Sequence, residues 1–338
     1  MQAKELIQAL SEHSSGCEDR CVDLRTVKFE SKDGEAMLVG DAGTYYFKSD
    51  PKNPKDPEVT HAAKQFCKLI GVPFSFYFKN PEGLRKQMVD CWLPTLGAEK
   101  SLVLMKLRRT GPESTGWIIR AVLPAEFTNI SNVEVLERVS SAIADAYEID
   151  FVVGENRDAL TLHTQFVSKS TFDAFGECYS LGFSVTASEL GARPLTIDTM
   201  LCRKSTKTNL LASYGGEPYF SCSYDLIQPK DLATLFPQLI TRMTEQLPQI
   251  REKIQATKEW KFTPERSVEQ ILTSLRFRRG LSEKFHVRLG QEIQGQPPKD
   301  LWELSGKMSV IAKDFDLEKR LKIECAAGDL VGLSFAKA

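Results

Sequence analysis

The chain has 338 residues, room for about two domains at roughly 150 residues each. With 42% hydrophobic, 26% charged and 9% aromatic residues it lies in the globular range, which excludes collagen-like, mucin-like and wholly disordered chains. Lys and Arg number 44 against 45 Asp and Glu, a formal charge of −1, so no global field draws in nucleic acid, an anionic membrane or an acidic substrate. Any charged partner has to be met by a local patch.

In chain order, Ala3 to Leu10 reads as a short amphipathic helix with Lys4 and Glu5, unlike the charged and then apolar opening of a signal peptide. Val22 to Lys48 alternates and turns at Lys32-Asp33-Gly34 and Asp41-Ala42-Gly43, which predicts a small antiparallel meander with strands such as Thr26 to Phe29 and Thr44 to Phe47. Three prolines make Ser49 to Pro57 a loop, and Val59 to Ile70 is a helix stopped by Gly71. Phe74 to Phe78 is a short aromatic run, read as a core strand rather than a base-stacking surface, and Pro81 to Trp92 is a second helix. Leu102 to Arg109 and Gly116 to Leu123 are strands joined through Thr110 to Ser114. Val133 to Tyr147 has a helical period with Asn132 placed as its cap. Strands return at Ile149 to Val153, Ala159 to Val167, Cys178 to Ala187 and Pro194 to Cys202.

From Lys230 to about Lys258 the apolar residues follow a 3.6 period, with Pro237 and Pro248 as kinks or breaks. Val268 to Phe277, Ser282 to Gly290 and Lys299 to about Leu330 are further helices, the last broken near Asp314 to Asp316. Leu301, Trp302, Leu304 and Met308 form an apolar stripe expected to pack on the same chain. The pattern predicts an α+β fold: an antiparallel, strongly curved sheet with packed helices and an all-helical C-terminal region. Residues 1–229 form the α+β domain, with the meander at 22–48 and a larger sheet at 102–202, and 230–338 pack on it. No apolar run approaches the about 18 residues of a membrane-spanning helix, so a cytoplasmic protein is expected.

The eight cysteines are mostly isolated, which suits reduced thiols better than a disulfide framework. The one close pair, Cys17 and Cys21, lacks two further ligands at short spacing, since His13 is the only nearby histidine, and no metal is expected there. The phosphate-loop, dinucleotide-binding, nucleophile-elbow and zinc-protease motifs are all absent, so no cofactor is expected either.

Several short stretches, in one order over most of the chain, resemble the phage- and plasmid-type family grouped as domain of unknown function 932. They are Leu69-Ile70-Gly71-Val72-Pro73 with Phe76-Tyr77-Phe78, then Arg120-Ala121-Val122-Leu123-Pro124 leading to Ile130-Ser131-Asn132. Next come Ser188-Glu189-Leu190-Gly191, Leu301-Trp302-Glu303-Leu304, and finally Arg320-Leu321, Glu324 and Ala327-Gly328. The chain departs from the family in having Ala187 before Ser188, and Lys204 to Leu210 where members carry a Cys-x-Asn-Gly stretch. The resemblance implies a mobile-element setting: handling of phage or plasmid DNA, counter-defence, or a virion role. Similarity to single-strand annealing proteins is a fold-level analogy.

Three basic clusters stand out against the neutral total. Lys106, Arg108, Arg109 and Arg120 lie on two strands expected to pair, so a hairpin could display several on one face. Arg193, Arg203, Lys204 and Lys207 flank the strand Pro194 to Cys202, and the polar run Lys204 to Asn209 suits phosphate contacts. Arg276, Arg278 and Arg279 fall where a helix should end, and capping is their first reading. Glu189 at a tight turn could meet a cation or ligand, but one carboxylate makes no acid and base pair.

The first expectation is therefore a non-enzymatic, homo-oligomeric nucleic-acid-binding protein of a phage or mobile element, favouring single-stranded DNA and acting in recombination or replication. The first two clusters supply its phosphate contacts. Two alternatives stay open: a protein interaction module for counter-defence or the virion, and an enzyme with an unrecognised site near Glu189.

Overall fold

The computed structural model describes residues 3–32, 35–47, 57–110, 116–143, 146–153, 161–212, 219–223 and 229–332. The expected turn at Asp33-Gly34, most of the proline loop 49–57 and most of the connection 110–114 lie outside these residues. The fold is α+β with a helical C-terminal region, as the pattern predicts.

The first half opens with α1 (Ala3–Ser14), β1 (Cys17–Asp23), β2 (Lys28–Lys32), β3 (Glu35–Gly40) and β4 (Gly43–Phe47). Then follow α2 (Pro57–Leu69), α3 (Phe74–Lys79), α4 (Glu82–Trp92), the single turn α5 (Ala98–Ser101), β5 (Leu102–Arg109) and β6 (Gly116–Pro124). The strands build one six-stranded sheet in the order β1-β5-β6-β4-β3-β2. Every pairing in it is antiparallel except β4 with β6, which run parallel. β5 and β6 thus join the meander, whereas the expected division placed them with the second sheet in one sheet over 102–202. The link is β1, whose Glu18, Asp19, Arg20 and Asp23 hide its strand character, yet which pairs along all of β5 from Cys17↔Arg108 to Asp23↔Leu102. One face buries Phe29, Leu38, Tyr45, Met105 and Ile119 against Phe66 and Cys67 of α2 and Val89 of α4.

Phe74 to Phe78 is helical, not a strand: α3 turns Tyr77 inward and leaves Phe76 and Phe78 exposed. Pro73 just before it favours a first helical turn over an extended run.

The second half comprises α6 (Asn132–Ile143), β7 (Tyr147–Val153), β8 (Leu162–Ser168), β9 (Phe172–Ala174), β10 (Glu177–Ala187), β11 (Leu195–Arg203), β12 (Thr208–Ala212) and β13 (Phe220–Cys222). Ser131, not Asn132, caps α6, its hydroxyl accepting from Glu134 N at 3.0 Å, and Tyr147 opens β7 instead of closing the helix. The strands form an antiparallel sheet in the order β12-β11-β10-β8-β7, with β9 beside β10 and β13 beside β11.

Six helices follow: α7 (Pro229–Glu245), α8 (Leu247–Glu259), α9 (Val268–Arg279), α10 (Glu283–Gly295), α11 (Leu301–Ala312) and α12 (Leu317–Val331). Pro237 is accommodated inside α7, whereas Pro248 sits in the first turn of α8, where its missing N–H costs nothing. Ser267, Ser282, Asp300 and Asp316 cap α9 to α12 with their side chains, which sets each start. The largest core joins one face of the second sheet (Phe166, Tyr179, Phe183, Val185) to Phe236, Ile254, Phe285, Trp302 and Met308 of these helices. The stripe on α11 therefore packs within the chain. Leu6 of α1 belongs to this core too, and α1 lies against α6.

Candidate nucleic-acid interface

Pairing of β5 with β6 does not gather its four cations on one surface. Arg108 and Arg109 are successive strand residues and so face opposite sides of the sheet. Lys106 is only 5% exposed and donates to Asp19 Oδ2 at 2.7 Å and to Asn129 Oδ1. Arg120 is 4% exposed, its Nη1 lying 3.2 Å from Glu189 Oε1 and 3.4 Å from Cys17 Sγ. These two cations are themselves buried, hold the sheet to neighbouring segments and cannot reach a phosphate without abandoning their carboxylate partners. Arg109 is exposed beside Trp117, whose ring also carries Arg20 at 4.4 Å. Arg108 is half-buried.

In the second cluster Arg203 is likewise internal: its Nε lies 3.2 Å from Glu177 Oε2 and its guanidinium stacks 4.3 Å over Trp302. Arg193 and Lys207 are exposed and Lys204 is half-buried. Lys204 to Lys207 form the turn between β11 and β12, in which Lys207 adopts the left-handed conformation at φ 48°.

A basic rim runs on from this turn, and the sequence reading saw only its ends. Lys313, at the C-terminus of α11, donates to Thr206 O at 3.1 Å. Its neighbour Asp314 lies 3.7 Å from Arg288 of α10. Lys284, one helical turn before Arg288, sits 5.8 Å over the ring of Phe315. Beside α10, the end of α9 presents Arg276, Phe277 and Arg278, all exposed, and Arg276 helps burial to lower the His286 pKa. Phe277 is 84% exposed, more than any other large apolar side chain among the described residues. Arg279 turns inward to a bidentate pair with Asp329, both bonds 2.7 Å. The capping expectation thus separates: Arg279 is structural, and its two neighbours point to solvent.

Glu189 is fully engaged as well. Besides Arg120, it accepts from Asn132 N at 3.2 Å at the start of α6, where the helix dipole favours a carboxylate. Among the described residues no group of three or more His, Cys, Asp or Glu side chains is placed to hold a metal ion. Cys17 and Cys21 lie four residues apart on β1, a span of about 13 Å at 3.3 Å per residue, too far for a mutual disulfide.

The feature least visible in sequence is a buried polar layer between the second sheet and α12. Alternation on β8, β10, β11 and β12 sends His163, Gln165, Ser184, Asp198 and Asn209 to the face away from the main core. Asn209 Nδ2 donates to Gln165 Oε1 at 2.7 Å, Gln165 Nε2 reaches Glu324 Oε2 at 3.5 Å, and Glu324 Oε1 accepts from Arg320 at 2.8 Å. His163 Nδ1 lies 2.8 Å from Thr186 Oγ1. Burial pushes the His163 pKa down to about 3 and holds the Asp198 carboxyl up at about 6, and it raises Glu324 against the pull of Arg320. Strand runs such as Leu162-His163-Thr164-Gln165 carry the alternation, but nothing local says that the polar side is covered.

No family model, curated protein or solved structure matches this chain.

Proposed function

We propose that the protein binds single-stranded nucleic acid without catalysing a reaction, as a phage or mobile-element protein acting in DNA recombination or replication and assembling as a homo-oligomer. One observation carries the reading: Phe277 stands in solvent between two exposed arginines at one end of a basic rim. An aromatic face flanked by guanidinium groups offers base stacking together with phosphate neutralisation, the combination that sequence-tolerant single-strand binders use. Lys313, Arg288 and the Lys204 to Lys207 turn would offer further phosphate contacts along the rim. The order of the family-like motifs and the mobile-element setting they imply support the choice of DNA.

Fluorescence anisotropy of a labelled oligonucleotide over a salt series tests this. Binding should weaken steeply with salt, favour single strands over duplex, and fall in Phe277→Ala by about five- to 150-fold for one lost stacking contact of about 1–3 kcal/mol. No binding at low salt, or a Phe277→Ala protein that binds like the parent, overturns it.

A second reading, a protein interaction module, is favoured by the exposed Phe76, Phe78, Leu84 and Trp92 on α3 and α4. Co-purification that returns a protein partner and no nucleic acid would select it.

A further inference from the structure

Between α10, α11 and the turn after β11 lies a cleft of 590 Å³ whose wall includes Arg203, Thr206, Glu292, Lys299, Gly306 and Lys307. Its volume is that of a small-molecule site. Arg203 is nine-tenths buried, yet its Nη2 has no hydrogen-bond partner, and its Nε, though 3.2 Å from Glu177, makes no hydrogen bond of acceptable angle. Glu177 Oε2 already accepts from Tyr179 OH at 2.6 Å. A buried guanidinium left short of acceptors is costly.

The fork is also fixed in place. The Trp302 ring lies against one side at 4.3 Å, and Gly306 lets it approach the helix so closely that a Cβ there would stand 2.4 Å from Nη1. Lys307 is tied to Glu292 at 3.5 Å, and the Glu303 carboxylate accepts from Lys299 N at 2.6 Å, leaving the Lys299 side chain exposed at the mouth. The wall thus carries three cations, Arg203, Lys299 and Lys307, against two carboxylates, Glu292 and Glu303.

We infer that this cleft binds a small molecule through an oxyanion, a phosphate or carboxylate group, received by Arg203 with help from Lys299 and Lys307. A planar guanidinium held in place suits such a group: Nη1 lies toward Gly306 on the cleft wall, and the buried Nε and Nη2, left without hydrogen-bond partners, keep the positive charge uncompensated behind it. The cleft adjoins the rim, sharing Thr206 with it, but its anchor is internal and its shape concave, so the inference does not rest on nucleic-acid binding.

Titration of the full chain with inorganic phosphate and, separately, with malonate tests the inference, read by Trp302-sensitive fluorescence and by the amide shift of Gly306. One of the two anions should saturate both signals, and the better one identifies the class. Arg203→Lys keeps the charge but loses the fork and should weaken binding by about tenfold or more, as loss of a charge-assisted hydrogen bond does. Should that variant fail to fold, Lys299→Gln, exposed at the mouth, and Lys307→Gln each remove one attracting charge and should weaken binding several-fold with the fold kept. If neither anion saturates the signals, or if binding survives these substitutions unchanged and so lies elsewhere, the inference is wrong.

Discussion

Lys106 and Lys207 are both cations in basic clusters, yet their surroundings give them opposite roles. The Asp19 side chain is 34% exposed and keeps Asn129 as a donor, so Lys106→Ala should cost only about 1 kcal/mol in denaturant unfolding and leave the DNA affinity of the folded fraction unchanged. Lys207 has its backbone in the left-handed region, where a side chain is strained and glycine is not. Lys207→Gly should therefore leave stability unchanged or raise it by up to about 1 kcal/mol. Having lost one phosphate contact, it should also lower the slope of log affinity against log salt by about one in the anisotropy series. A loss of stability in Lys207→Gly would mean that the side chain is part of the fold. Cys17 and Cys21 lie too far apart on β1 to pair with each other, so unfolding curves with and without reductant should coincide; a shift of several kcal/mol would reveal a bridge.

At the scale of elements, the polar layer beneath α12 makes a pH prediction with two opposed parts. His163 has its folded pKa depressed, so its contribution is present above about 6.5 and is lost as pH falls toward about 3. Asp198 has its folded pKa raised, so its contribution is present below about 3.9 and is lost as pH rises through about 6. Between pH 4 and 6 the two slopes oppose each other. Asp198→Asn should uncover the histidine, giving stability that climbs with pH across that window and ends above the parent at pH 7 by about 2 kcal/mol. His163→Gln should do the reverse, and thermal unfolding at pH 4, 5, 6 and 7 reads both. A flat profile in both variants would show that neither group titrates as its surroundings dictate. Strands β8, β10 and β11 of this layer were legible because alternation and turn residues mark them, but β12 was not: Thr208 and Asn209 read as part of a polar loop, whereas they are buried strand residues. What escaped was pairing: β1 looks polar because its charges meet partners only after β5 lies beside it. The site escaped for the same reason, since Lys106, Arg120 and Arg203 look like free cations until their carboxylates arrive from distant segments. Phe277 was in plain sight, but a helix end full of arginines has capping as its simplest explanation.

For the molecule as a whole, the largest core ties the second sheet to α11 through Trp302, which is 3% exposed and meets Tyr179 edge-on at 5.6 Å between ring centres. Trp302→Ala should cost about 3–5 kcal/mol in chemical denaturation. Intact stability with a change of oligomeric state would instead make the stripe an interface between copies and favour the protein-partner reading. Both halves depend on the same few joints: Arg120 of β6 reaches Glu189 beyond β10, and His61 and Gln65 of α2 lie 3.0 and 2.9 Å from the Leu190 carbonyl oxygen.

The placement of α1 adds a constraint in time. Its Leu6 belongs to a core otherwise made of residues from Ile130 to Val331, and its neighbour is α6. On a ribosome adding about 5–20 residues per second, α1 waits several seconds at least before the surface it docks on exists. β1 waits almost as long, since all of its ladder is with β5. This segment is thus made well before it is secured, and through that interval its apolar side and the unpaired edge of β1 are open to chaperones, proteases and other nascent chains.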